Sequence, residues 1–144
     1  MAAGILSLLC LGGVGVFVSL YDRATKIDRS EPDVVTDSFL IAFLVDRDDK
    51  QSSLFTCEKP DLRAVAALRS EILRRETEQK VSVMVSWGAL TRTTTGQEQE
   101  SVGVTLTISG FDQGQMLSSR DEDWQFDVKR TGDQWQLCGG SKMA

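Results

Sequence analysis

The chain has 144 residues, of which 41% are hydrophobic and 26% are charged, a composition typical of one folded domain with a short appendage. Its net charge of -5 argues against nucleic acid as a partner, because neutralising a phosphate backbone requires clustered Lys and Arg. The sequence has no His and a single Tyr, so the side chain most often used for proton transfer is missing. We therefore expect no enzymatic activity, and we predict no catalytic residue, cofactor site or metal site.

The first segment, residues 1–21, contains no charged side chain and is long enough to cross a bilayer as a helix of roughly 30 Å. We interpret it as an uncleaved transmembrane anchor. A cleaved signal peptide is the main alternative, but it would have a basic start and small residues before the cleavage site. Residues 22–30 are polar and mixed in charge, as expected of a juxtamembrane stalk.

Two helical patterns follow the stalk. After Pro32, the residues Val35, Phe39 and Phe43 recur at four-residue spacing, which predicts an amphipathic helix with a wide buried surface. The charged run DRDDK, residues 46–50, is interpreted as a solvated loop rather than a calcium site, which would need a glycine and more ordered oxygen ligands.

A short helical turn is predicted over residues 51–57, with Leu54 and Phe55 directed inward. Pro60 and Asp61 are predicted to open the second long helix. The apolar stripe of this helix is expected to consist of Leu62, Val65, Leu68 and Ile72.

The second half of the chain alternates between apolar and polar residues, which predicts strands. Residues 81–87 and 102–108 are the two arms of one expected hairpin, joined through the polar stretch 91–100. Residues 124–138, WQFDVKRTGDQWQLC, form the clearest hairpin, with a turn at Thr131–Asp133. The fold class predicted is α+β, with two to three helices on one face of a mainly antiparallel four-stranded sheet.

Cys57 lies between the helices, and Cys138 ends the last strand. Free thiols are the expectation for a cytosolic protein, and two thiols make a poor zinc site because structural zinc takes four ligands. A Cys57–Cys138 disulfide is the better interpretation if the domain lies outside the cytoplasm.

The side of the membrane is indicated by two signals that disagree. Arg23, Lys26 and Arg29 follow the apolar segment, and by the positive-inside rule they would place the domain in the cytoplasm. The cysteines favour the outside, and we give them more weight. The expected localisation is therefore the cell membrane, with the C-terminal domain extracytoplasmic.

Helices followed by an antiparallel sheet that ends in W-x-F-x-V-x(6)-W-x-L-C, with cysteines at 57 and 138, resemble the nuclear-transport-factor-2-like superfamily. The resemblance is closest to the membrane-anchored extracytoplasmic members of actinobacteria, and it covers Pro32 to Cys138. It implies a cone in which the helices pack on a curved sheet, with the domain at residues 31–140 and a tail at 141–144.

The superfamily resembled includes ketosteroid isomerases, SnoaL-type cyclases, Mce-associated membrane proteins and the inner-membrane scaffold of type IV secretion systems. Isomerase-like members need a Tyr or a protonated acid as oxyanion donor, and the only Tyr here is Tyr21. Cyclases and hydratases commonly use His, which is absent. We expect Asp112, Asp123 and Asp127 to be solvated, because they fall in turns or on the polar side of strands.

We therefore expect a membrane protein whose cone binds or scaffolds partners in a cell-envelope assembly, with homodimerisation through the open sheet face as a further expectation. A small-ligand-binding or SnoaL-type enzymatic domain is one alternative, and a secreted soluble domain is another. The residues that would line an apolar pocket, if they are not simply core, are Phe39, Phe43, Trp87, Trp124 and Trp135.

Overall fold

The computed structural model describes residues 28–143, which contain three α-helices and six strands. The helices are α1 (Pro32–Leu40), which continues as a π-helical turn (Ile41–Val45), α2 (Asp49–Ser52), which continues as a 3-10 turn (Ser53–Phe55), and α3 (Arg63–Gln79). The strands are β1 (Thr56–Asp61), β2 (Ser82–Trp87), β3 (Thr91–Gly96), β4 (Gln99–Asp112), β5 (Gln115–Thr131) and β6 (Gln134–Lys142).

The ends of the helices follow local rules. Pro32 occupies the first turn of α1, where its missing N–H costs nothing. The carboxylate of Asp48 accepts the N–H of Gln51 at 3.0 Å and so caps α2. Helix α3 ends at Gln79, and the following residue, Lys80, has a left-handed φ of 52° that turns the chain towards β2.

The six strands form one curved sheet in the order β1-β6-β5-β4-β2, and β3 pairs with β4 beside β2. The β4–β5 hairpin is its longest element, running from Asp112 opposite Gln115 to Gln99 opposite Lys129 with one register shift between Gly110 and Phe111. Strands β2 and β3 pair with successive parts of β4, so they are two pieces of one interrupted arm. The predicted hairpins are confirmed.

The helices cover a single face of this sheet. On that face β4 and β5 direct Leu106 and Phe126 into the core, and both are fully buried against Phe39 of α1 and Ile72 of α3. The other face is polar. There, for example, the hydroxyl of Thr105 donates to the carboxylate of Asp123 at 2.6 Å.

Three expectations from sequence are corrected. The sheet has six strands rather than four, and β1 pairs in parallel with β6. Pro60 and Asp61 belong to β1, so the long helix begins at Arg63 and not at Pro60. Leu54 does not point inward: it is 37% exposed, while Phe55 is buried.

No helix between residues 28 and 143 is long and apolar enough to cross a membrane. The predicted anchor, residues 1–21, lies outside the described residues, as does most of the predicted stalk.

Candidate functional site

The space between helix α1 and the sheet, where a cone-shaped domain would hold a ligand, contains aromatic side chains. Phe39 stacks on Phe43 with ring centroids 5.1 Å apart, and it meets Phe126 at 6.3 Å. Trp124 in turn stacks on Phe126 at 6.1 Å. All four side chains are buried, so this aromatic cluster fills the interior instead of lining it.

Arg69 of α3 closes one side of the cluster. Its guanidinium carbon lies 4.0 Å from the centroid of the Phe43 ring, a cation–π contact. The same guanidinium donates to Asp49 at 2.7 Å, which ties α3 to α2. The Arg69 guanidinium thus covers the buried Phe43 ring.

The remaining two tryptophans lie on different strands, Trp87 on β2 and Trp135 on β6. Trp87 is partly buried, and its indole N–H donates to the carboxylate of Asp37 at 2.8 Å. Trp135 is buried beneath Arg130, 5.8 Å away, and its backbone N–H donates to the carbonyl of Arg29. The five side chains predicted as pocket lining therefore do not surround one cavity.

An open pocket of about 210 Å³ lies elsewhere, next to the break between β2 and β3. Only Trp124 of the predicted residues contributes to it. Its other lining residues are Ala89, Thr91, Gly103, Val104, Thr105, Asp123 and Met143. Its one carboxylate, Asp123, already accepts a hydrogen bond from Thr105.

Glu122 is the ionisable residue that the sequence analysis missed. It is 8% exposed on the core face of β5, one position from the solvated Asp121 and Asp123. Its oxygens accept bonds from the Trp124 indole at 3.1 Å, the Arg120 guanidinium at 2.9 Å and the Lys142 ammonium at 3.3 Å. The alternation of β5, in which even-numbered residues face the core, was the signal that could have identified it.

Electrostatics keep this carboxylate ionised. Burial alone raises the pKa of Glu122, but the hydrogen bonds from Trp124 and Lys142 and the charge of Arg120 outweigh it and hold the pKa below its usual value. Arg120 also donates to Glu71 of α3 at 2.8 Å. The cluster therefore joins helix α3, through Glu71, to strands β5 and β6.

A second ion pair, which is partly buried, joins Arg47 to Glu76 of α3. The pKa of Glu76 is lowered, mainly by the hydrogen bond from Arg47, and the backbone N–H of Val83 contributes in the same direction against the effect of burial. The negative charges of Glu122 and Glu76 are thus both balanced by donors from neighbouring side chains.

The predicted disulfide between Cys57 and Cys138 is confirmed. It links β1 to β6 across 81 residues of sequence, with Cα atoms 5.0 Å apart. It fastens an edge strand whose parallel pairing with β6 is irregular between Thr56 and Asp61.

No family profile and no curated protein sequence matches this chain significantly. Solved structures do match. An NTF2-like protein with a cystatin-like fold from Novosphingobium aromaticivorans has a TM-score of 0.58 and 16% identity, over 90% of this chain and 85% of that one. A periplasmic fragment of TraM has a TM-score of 0.54 and 13% identity, over 76% and 90%.

The β subunit of benzoate 1,2-dioxygenase from Burkholderia mallei has a TM-score of 0.50 and 12% identity, over 82% of this chain and 91% of that one. These similarities show that the chain has the nuclear-transport-factor-2-like, or cystatin-like, fold, which confirms the resemblance seen in the sequence. Its placement among membrane-anchored actinobacterial members stays a prediction. The proteins that share the fold differ in function, so the fold alone does not assign one.

Proposed function

We propose that this nuclear-transport-factor-2-like domain is a non-catalytic binding or scaffolding domain, held at the cell membrane by residues 1–21 and placed outside the cytoplasm. Its expected partners are proteins of a cell-envelope assembly. The observation that carries the proposal is the filled interior, in which Phe39, Phe43, Trp124 and Phe126 pack against one another and are all buried.

Ligand-binding and enzymatic domains of this size use concave pockets of about 300–1,000 Å³. The open pocket beside Trp124 is about 210 Å³, which is below this range, and its one carboxylate is already bonded to Thr105. This favours binding by the outer surface over binding in the interior.

The chemistry of Glu122 and of the partly buried Glu76 supports the same proposal. A general base needs a pKa near the working pH and a lone pair open to substrate. Glu122 and Glu76 have lowered pKa values, and their carboxylates are engaged by the donors of Arg120, Lys142 and Arg47. With no His anywhere in the sequence, surface binding is the task that these residues fit.

The disulfide supports the proposed compartment. Structural disulfides persist in oxidising surroundings outside the cytoplasm and are rare within it. The TraM fragment with the same fold is described as periplasmic, so the fold is compatible with that location.

The test is cross-linking of intact cells with a membrane-impermeant reagent, on the full chain in its own host. As a control, residues 1–30 are fused to an unrelated folded domain. We expect other envelope proteins to cross-link to the full chain and not to the control. Equal cross-linking of both, together with a stoichiometric small molecule in native mass spectra of the purified chain, would favour the ligand-binding alternative.

A further inference from the structure

The sheet face that the helices leave uncovered carries exposed apolar side chains at the turn between β4 and β5. Phe111 of β4 lies directly opposite Met116 of β5, so the two side chains share a face. Met84 of β2 is a diagonal neighbour of Phe111 on that same face. Met84 is 60% exposed and Met116 is 56% exposed. Soluble proteins rarely group large apolar side chains in solvent unless a partner covers them.

A β-bulge adds one more apolar residue to this group. Gly110 pairs with Ser118 and Phe111 pairs with Met116, which leaves Leu117 as the extra residue of β5. Its side chain is 60% exposed. Bulges redirect side chains and are features that a fold retains for a purpose. We call the four residues the apolar corner: Met84, Phe111, Met116 and Leu117.

Two carboxylates lie farther along the same face of β5. Asp121 accepts a hydrogen bond from Thr107 at 2.7 Å, and Asp123 accepts one from Thr105 at 2.6 Å. A hydroxyl group supplies a donor but no positive charge. Within residues 28–143, no ion pair includes either carboxylate. The two negative charges on this face therefore have no cation beside them.

The residues around these carboxylates do not change the charge of the face. The other outward positions of β2, β4 and β5 between the apolar corner and Asp123 are occupied by serines: Ser82, Ser86, Ser109 and Ser119. The face is thus apolar at one end and negatively charged beyond it.

The open pocket of about 210 Å³ lies beside the second of these carboxylates. Asp123 is its only charged lining residue, and Gly103, which has no side chain, lines it as well. The volume leaves room for one side chain rather than for a drug-sized ligand. A pocket with a single carboxylate suits the ammonium group of one Lys or the guanidinium group of one Arg.

We propose that this face binds an amphipathic basic segment of a partner protein. Apolar side chains of the segment pack on the apolar corner, and its Lys or Arg side chains pair with Asp121 and Asp123. Five positions separate Met116 from Asp121, so the apolar and basic groups of the partner lie roughly 16 Å apart. The inference rests on the proposed function, because it names the surface and the chemistry of the partner that a binding domain requires.

Charge complementarity selects this partner over other occupants. An anionic lipid surface attracts basic residues and would be repelled by the two carboxylates. A second copy of the chain would present the same face, which has no Lys or Arg at these positions to pair with Asp121 and Asp123. An acidic partner segment would meet like charges, which costs affinity.

Photo-cross-linking in intact cells of the native host tests the surface. A benzophenone amino acid is placed at Leu117 of the full chain and, as the matched control, at Leu54, which is 37% exposed and belongs to the helical layer. The cross-linked peptides are then sequenced. We expect Leu117 to capture a partner peptide that contains both apolar residues and Lys or Arg, and Leu54 not to capture it.

The role of the carboxylates is measured with the captured peptide, made synthetically, and the full chain in mild detergent. Asp121→Asn and Asp123→Asn together remove both charges and keep an acceptor for each Thr. The dissociation constant should rise about 3- to 30-fold, as expected for the loss of two solvent-exposed ion pairs. Glu58→Gln with Glu78→Gln changes the net charge equally at exposed positions off this face and should leave the affinity unchanged.

The inference is overturned if Leu117 cross-links to lipid, to a second copy, to residues 22–30 of its own chain or to an acidic peptide. Equal effects of the two double variants would also overturn it. If the membrane-impermeant reagent still captures envelope proteins while Leu117 captures none, this surface is wrong and the proposed function stands. If neither captures a protein, both are wrong.

Discussion

The indole N–H of Trp87 donates to the carboxylate of Asp37 across 2.8 Å, and this bond fastens strand β2 to helix α1. Residues 50 positions apart in sequence thereby fix the spacing between the helical layer and the sheet. Removing this hydrogen bond therefore tests how the helical layer is held to the sheet.

Asp37→Ala should lower the free energy of unfolding by about 1.5–3 kcal/mol, because hydrogen bonds to charged groups contribute that much and the partly buried indole would lose its acceptor. Urea denaturation measures the change. Glu78→Ala is the matched control, an exposed helical carboxylate whose loss should stay within about 0.5 kcal/mol. Equal losses in the two variants would mean that the Trp87 bond does not stabilise the fold.

Gly140→Ala should destabilise the domain by about 1–3 kcal/mol, as overpacking in a well-packed core does. A Cβ at this position would lie 2.5 Å from the Phe126 ring, which is fully buried and has no room to move. Gly88→Ala serves as the control, since a Cβ there would meet nothing within 4 Å. Chemical denaturation of both variants separates steric clash from the general effect of replacing a glycine.

Glu122→Gln should cost about 1–3 kcal/mol at pH 7, because it removes the charge that three donors surround. The pKa of Glu122 is lower in the folded state than its usual value of 4.5, so the stabilisation is present above that pH and is lost as the pH falls through the folded pKa. The difference between wild type and variant should therefore shrink in acid.

Denaturation curves between pH 7 and 3 measure that difference. Glu58→Gln, on the exposed edge strand, is the control for removing a carboxylate from the surface. A Glu122→Gln effect that is the same at every pH would contradict the assignment of an ionised carboxylate.

Replacement of both Cys57 and Cys138 by Ser should lower the free energy of unfolding by up to about 4–5 kcal/mol, the chain-entropy value for a loop of this length. A reducing agent should destabilise wild type by the same amount and leave the double variant unchanged. If reductant leaves the wild type unchanged, the disulfide is not formed in the purified protein.

The sequence was sufficient to predict the parts of the fold that rest on apolar periodicity. The core face of α1 and its π-helical turn consists of residues at four-residue spacing that are all buried: Val35, Phe39 and Phe43. Along β5 the buried residues alternate with exposed or half-buried ones: Trp124, Phe126 and Val128. The spacing of the apolar residues matches the residues that are buried, because each of these elements packs one face on the core.

Strand β1 was missed because TCEKPD has no alternating apolar pattern and contains Pro60, which suggested a helix start. Its pairing is set by β6 and by the disulfide, which are tertiary constraints. Glu122 was passed over for a similar reason: an acidic run DED looks solvated, and only the long register of β5 directs its middle residue inward.

The central claim is that this domain lies outside the cytoplasm on an uncleaved anchor, and mass spectrometry without reductant on protein taken from membranes tests it most directly. A single experiment reads the mature N-terminus and the state of Cys57 and Cys138. We predict an intact N-terminus and a linked Cys57–Cys138 peptide. Free thiols on an intact chain, or a mature chain that begins near Asp22 in the soluble fraction, would contradict the account.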